Sequence, residues 1–269
     1  MRRAAHVVLC LLPVVVLPLA GIRGLRVPGL YSTVGALLFA ILAAAAGLLA
    51  RGAGASEHDP RLRLGGILLL VPIALIGLLW VGLGTPWDAT VAENRSRYAA
   101  LLAMSIAVAT GFHLLGDALR DSGEKLFAPL AVVFGLLSGS AYVVWTSFQL
   151  GDFALHLASG ERAPGVASMN NVFDALLFAA TALAYLATAC LAGALGRAGR
   201  LGSVAAHVYL ALNLLALCML LLRGVSFPTP GSGPEAWYMT PGFIVGVPAM
   251  PWILPYFLGV TVLRGRRMS

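Results

Sequence analysis

Apolar residues run through this sequence in long unbroken blocks, without the alternating or one-faced patterning of a water-soluble domain. Eight such runs lie near 4–20, 30–50, 64–84, 97–119, 126–150, 172–196, 202–223 and 242–263. Each approaches the roughly 20 helical residues that cross a hydrocarbon core about 30 Å thick. Backbone polar groups in lipid must be satisfied within the segment, so these runs are expected as helices. The pattern predicts an all-α, polytopic integral membrane bundle of about eight transmembrane helices, with 1–269 forming a single transmembrane domain. The first run is short and follows Met1-Arg2-Arg3, as in a signal peptide. Pro18 and Ala20 make a poor small-x-small cleavage site, so a retained helix is expected.

Composition sharpens this reading. Of 269 residues, 59% are hydrophobic and 11% charged, whereas a soluble domain carries roughly 25% charged residues. A water-soluble enzyme, a disordered chain and a nucleic-acid-binding domain are excluded on that ground, despite the net charge of +7. The position of the basic residues is more informative than their total. Connections on one side, including both chain ends, hold twelve Arg or Lys, and those on the other side hold six. The positive-inside rule then puts both termini in the cytoplasm. Arg supplies 17 of the 18 basic residues, a bias that suggests a GC-rich bacterial gene and hence a bacterial inner membrane. The single Lys, Lys125, lies outside the last run, so a retinal Schiff base there is excluded. Three of the outer connections, about 85–96, 151–171 and 224–241, are read as long loops. Trp87, Trp237 and Tyr238 are expected at the headgroup belt.

The second run contains Ala36-Leu37-Leu38-Phe39-Ala40, and the sixth Ala175-Leu176-Leu177-Phe178-Ala179. Their spacing suggests a tandem duplication of four helices, roughly 1–125 and 126–269, of a kind some transporters use. Cys10, Cys190 and Cys218 all fall in apolar runs without CxxC or Cys/His spacing, so neither a disulfide framework nor a zinc site is expected. No phosphate-binding glycine loop, HExxH or CxxCH motif is present, and no cofactor, haem included, is expected.

Candidate chemistry therefore rests on polar residues inside the runs, where such groups are costly. His113 and Asp117 lie one turn apart on the fourth run, where the carboxylate is positioned to orient the imidazole. His207 follows Ser203 by the same interval on the seventh, at a similar depth. Ser138, Tyr185 and Asn213 form a second layer near the midplane, and Gly135 and Gly139 make a GxxxG packing stripe beside Ser138. Asn171 and Asp174 have the N-x-x-D spacing of a helix cap at the start of the sixth run, with an outward-facing ion or substrate contact as the alternative. Pro248, Pro251 and Pro255 crowd the last run, which is expected to be kinked or partly unwound. His113, Asp117, Ser138, Tyr185, His207 and Asn213 are the candidate substrate-binding residues. The fourth, fifth, seventh and eighth runs are expected to enclose one pocket containing His113, Ser138, Asn213 and the kinked segment. The favoured function is a small transporter or channel-like protein for a small or amphipathic solute. One alternative is a membrane-embedded enzyme acting on a lipid or prenyl substrate, with His113, Asp117 and His207 as acid–base groups. Another is a noncatalytic sensor or complex subunit. Expected partners are membrane lipids, a small solute or lipid ligand, and a second copy or another membrane subunit, with no nucleic acid.

Overall fold

The computed structural model describes residues 1–21, 30–51, 59–86, 89–160, 165–225 and 242–265. In chain order the helices are α1 (Arg2–Gly21), α2 (Leu30–Arg51), α3 (Pro60–Leu68), α4 (Val71–Leu79), α5 (Val91–Asp121), α6 (Phe127–Ser159), α7 (Val166–Arg197) and α8 (Ser203–Arg223). Then come the short α9 (Phe243–Gly246), a 3-10 turn (Met250–Trp252) and α10 (Ile253–Arg264). Counting α3 and α4 as one span, seven helices among the described residues are long and apolar enough to cross a membrane. The protein is an all-α polytopic membrane bundle. The eighth apolar run differs from the other seven, being broken into α9, the turn and α10.

The helices overrun their apolar runs where local chemistry lets them. The start of α5 is set by a capping box: the Thr90 hydroxyl accepts from the Glu93 N–H while the Glu93 carboxylate accepts from the Thr90 N–H. α6 continues to Ser159, where Gly160 ends it in a left-handed conformation, and α7 has already started at Val166. Most of the connection expected at 151–171 is therefore helix, because hydropathy marks where lipid ends and not where a helix ends. The helix-cap expectation for Asn171 and Asp174 is corrected for the same reason: both positions lie inside α7. Pro72 explains the break between α3 and α4 at Leu69–Leu70, since it has no N–H for the preceding turn.

Close packing is made by small residues, as membrane helices without a hydrophobic drive between them require. A Cβ on Gly135 would lie 2.7 Å from Phe112, and one on Gly139 2.5 Å from the Ala109 Cβ, so the GxxxG stripe seats α6 on α5. α3 is pinched between α5 and α10: a Cβ on Gly65 would meet Leu115 at 2.7 Å, and one on Gly259 would meet the Gly66 carbonyl oxygen at 2.7 Å. α10 also packs on α1, α2 and α7, which buries Tyr256, Leu258 and Val260. The Tyr256 hydroxyl donates to the Leu9 carbonyl at 2.8 Å. That carbonyl is one turn before Pro13 and has no helical N–H to accept from.

Charges sit at the helix ends. Where the two chain ends meet, Arg2 donates to the Arg264 carbonyl at 3.1 Å. On this side Arg61 joins the α3 cap Asp59 to Asp117 and Asp121 of α5, at 2.6, 3.2 and 2.7 Å. The Arg61 guanidinium holds the Asp59 carboxyl below the usual carboxylate range. Glu124 caps α6 through the N–H groups of Leu126 and Ala128 and pairs with Arg197. On the opposite side Arg97 is buried over the Trp80 ring and donates to Asn94 and to the Gly84 carbonyl, both at 2.8 Å. α8 is the outlying member: it packs along α7 and against α9, and only 17% of its most apolar stretch is buried.

Candidate functional site

The break in the last span follows from its prolines. A residue before proline is pushed out of the helical region, and Val247, which precedes Pro248, is extended at ψ 132°. The Val245 carbonyl loses the N–H that a continuous helix would offer it, and the Tyr185 hydroxyl of α7 donates to it instead at 2.9 Å. In lipid such a carbonyl must find a donor or a wet cavity. Tyr185 supplies the donor.

An ion pair lies beside this segment. Arg223, the last residue of α8, has a side chain with no exposed surface, and its Nη2 is 3.6 Å from Oδ1 of Asp174 on α7. Nη1 also donates to the Gly224 carbonyl at 3.2 Å. Two glycines that flank or end α9 approach α8 without a side chain. Gly242 has φ 76°, and a Cβ there would collide with the Met219 carbonyl. A Cβ on Gly246 would lie 3.1–3.3 Å from the Arg223 guanidinium.

From Arg223 a polar track continues down the inner face of α8, where Asn213, Ala216, Leu220 and Arg223 are buried. Asn213 is ten residues from Arg223, about 15 Å along the axis. Its Nδ2 donates to the Tyr209 carbonyl at 2.7 Å, while its Oδ1 is buried with no partner among the described residues. Farther toward the chain ends, Tyr209 reaches Thr261 of α10, and Cys10 lies 3.8 Å from His6 on α1. On the α6 side, Ser138 donates to the Ala180 carbonyl at 2.7 Å, and the Tyr142 and Thr181 hydroxyls bond at 2.8 Å. The Tyr142 ring rests on Trp252 at 4.7 Å between centroids. The Trp252 indole N–H, at the start of α10, is buried without a partner among the described residues.

The sequence-derived candidates divide between these places. Tyr185 and Asn213 border the track, and Ser138 sits at the α6–α7 interface nearby. His113 lies on an exposed face of α5. Asp117 does not orient it: the carboxylate is engaged by Arg61 at 3.2 Å and Arg120 at 2.6 Å. His207 is exposed on α8, with Nδ1 donating to the Ser203 carbonyl at 2.7 Å. α5 packs on α3, α4, α6 and α7, whereas α8 packs on α7 and α9, so the two histidines are not brought together. The expected single pocket containing His113 therefore does not form; its side chain turns away from the faces that meet α6 and α7.

Sequence reasoning favoured a cap over a binding contact for Asp174 and missed Arg223, counted as a loop charge. It also passed over Thr181 and Trp252. A signal was present for the first two: Asp174 is an acid inside an apolar run, and Arg223 closes another. Among the described residues no three His, Cys, Asp or Glu gather as metal ligands. Comparison with protein-family models, with curated proteins and with solved structures finds no match.

Proposed function

We propose that this protein is a small-solute transporter whose path follows the seam between α7, α8 and the broken last span. The observation that carries the proposal is the buried Asp174–Arg223 pair beside a span interrupted at Val247. Ionisable residues within or at the ends of membrane spans characteristically mark solute or ion pathways, and discontinuous helices line such pathways in transporters. Asn213 and Tyr185 line the continuation of the path. The bilayer is taken as a bacterial inner membrane and both termini as cytoplasmic, from the basic-residue asymmetry.

Thiol accessibility tests the path without knowledge of the substrate. In a background with Cys10, Cys190 and Cys218 replaced by Ala, Asn213→Cys is expected to react with a membrane-impermeant maleimide added to sealed vesicles from at least one side. Leu214→Cys, on the exposed face of α8, is expected to stay unlabelled in lipid. If both thiols are silent from both sides, no aqueous path follows α8 and the transport proposal fails.

A further inference from the structure

We infer that the junction of α1 with α10 at the chain ends binds an anionic phospholipid, its phosphate between Arg2 and Arg264 and one acyl chain along α10. The inference is independent of the transport proposal. Two stripes at helical spacing lead to the junction. On α1, Arg2, His6 and Cys10 recur every four residues and are exposed or half-buried. On α10, Phe257, Thr261 and Arg264 are likewise uncovered in part, while Tyr256, Leu258 and Val260 on its other faces are buried. The stripes meet at Arg264, whose Nη1 donates to His6 Nε2 at 3.4 Å and whose carbonyl accepts from Arg2 at 3.1 Å. A third wall comes from α8. That helix packs chiefly on α7 and α9, so Tyr209 crosses to Thr261 as a side chain and comes within electrostatic reach of Cys10. Tyr209, Phe257 and Cys10, all half-buried, floor a lipid-facing groove that ends at the two guanidiniums.

Charge selects the occupant. The acids described on this side of the bundle are engaged elsewhere: Asp59, Asp117 and Asp121 by Arg61, Asp117 also by Arg120, and Glu124 by Arg197. Among the described residues no carboxylate pairs with Arg2 or Arg264. The stretches of this side outside the described residues, 52–58 and 266–269, hold one acid, Glu57, and two arginines, Arg266 and Arg267, so the surplus is positive in sequence as well. Capping the α10 carbonyl uses one N–H of Arg2 and leaves most donors of two exposed guanidiniums facing outward. Like charges gathered at one helix end repel, and a phosphate between them converts that repulsion into charge-assisted hydrogen bonds. Guanidinium forks match phosphate geometry, and basic sites between helices at the membrane surface take phospholipid head groups. Arginines in the first turn of α1 and the last of α10 reach the head-group level, while the groove beside them runs into the hydrocarbon. A phosphate carrying acyl chains fits both parts, and a soluble anion fits only the first.

Native mass spectrometry of the full-length protein in detergent tests this, with dioleoylphosphatidylglycerol, dioleoylphosphatidylcholine and glycerol 3-phosphate as probes. The first phosphatidylglycerol is expected to bind about tenfold more tightly than phosphatidylcholine, from two arginines at the surface. Excess glycerol 3-phosphate is expected not to displace it. Arg2→Gln with Arg264→Gln should cut the preference to about twofold or less. Arg51→Gln with Arg63→Gln removes the same charge from exposed positions on the same side and should leave the preference intact. Equal affinity of the wild-type protein for the two lipids overturns the inference, a result that needs no variant to fold. An equal loss in both variant pairs also overturns it, since that marks a diffuse basic surface. Displacement by glycerol 3-phosphate does the same, since it marks an anion site without a lipid. Labelling of Asn213→Cys bears on the transport path alone.

Discussion

Tyr256→Phe removes one hydroxyl and leaves the ring that packs α10 against α1. Tyr256 and Leu9 are both fully buried, and the bond between the hydroxyl and the Leu9 carbonyl measures 2.8 Å. Leaving a buried carbonyl without a donor costs about 1–3 kcal/mol. Hydrogen bonds between membrane helices average about 0.6 kcal/mol and reach about 1.7. The expected loss is therefore about 1–2 kcal/mol, in the upper part of the membrane range, because Pro13 denies Leu9 its helical partner. That cause makes a sharper prediction. In a Pro13→Ala background, residue 13 regains an N–H one turn beyond Leu9, and the same Tyr256→Phe change should cost less than about 0.5 kcal/mol. The coupling of about 1 kcal/mol exceeds the roughly 0.3–0.5 kcal/mol scatter of independent sites. Reversible unfolding of the four proteins by SDS titration in mixed micelles measures it. Pro18→Ala serves as the control, since the carbonyl it would re-engage belongs to Val14 on an exposed face, and it should show no coupling. Additive costs in the Pro13 cycle would refute the claim that Tyr256 compensates for the proline.

Three further outcomes are expected. Gly259→Val places carbon where the Gly66 carbonyl and Leu70 lie 2.7 Å away, and should cost about 3 kcal/mol in the same titration, whereas Gly151→Ala, with open space around it, should be near neutral. Arg61 lowers the Asp59 carboxyl from an ordinary value of 3.8, so its contribution is full above that pH and is lost as pH falls through the lower folded value. Asp59→Asn should flatten the acid limb of the midpoint-versus-pH curve below about pH 4, and a limb as steep as wild type would remove that linkage. Reporter fusions at Ser269 and within 224–241 should give opposite sidedness; equal sidedness would contradict cytoplasmic termini joined by an even number of crossings.

The bundle was legible because lipid imposes a length and a polarity that no single residue can hide. The run at 202–223 and α8 (Ser203–Arg223) differ by one residue. Legibility failed where a helix leaves the hydrocarbon, as at 151–159, which hydropathy assigns to a loop and the backbone continues as α6. The prolines of the last run read correctly as a break, since loss of a donor is a local property. The site was only half legible. Tyr185 and Asn213 are isolated polar residues in apolar runs, and their positions alone nominated them. His113 and His207 met the same criterion and lie on exposed faces, because one residue in a run says nothing of which way the helix turns it. Asp174 and Arg223 are 49 positions apart, and their pairing depends on α7 and α8 being antiparallel neighbours.

Tyr185 links the fold to the proposed chemistry. Pro13 and the extended Val247 before Pro248 each leave a carbonyl short of its helical donor, and the fold answers both with a tyrosine hydroxyl from another helix: Tyr256 for Leu9 and Tyr185 for Val245. The two contacts differ in what surrounds them. Tyr256 joins segments gripped by the close contacts of α10 with α3, so its bond acts as a staple. Tyr185 holds α9, a four-residue helix followed by one extended residue, Val247, on the outlying side of the bundle where α8 has α7 and α9 as its packing partners. A segment so short has no hydrogen-bond ladder of its own to resist displacement.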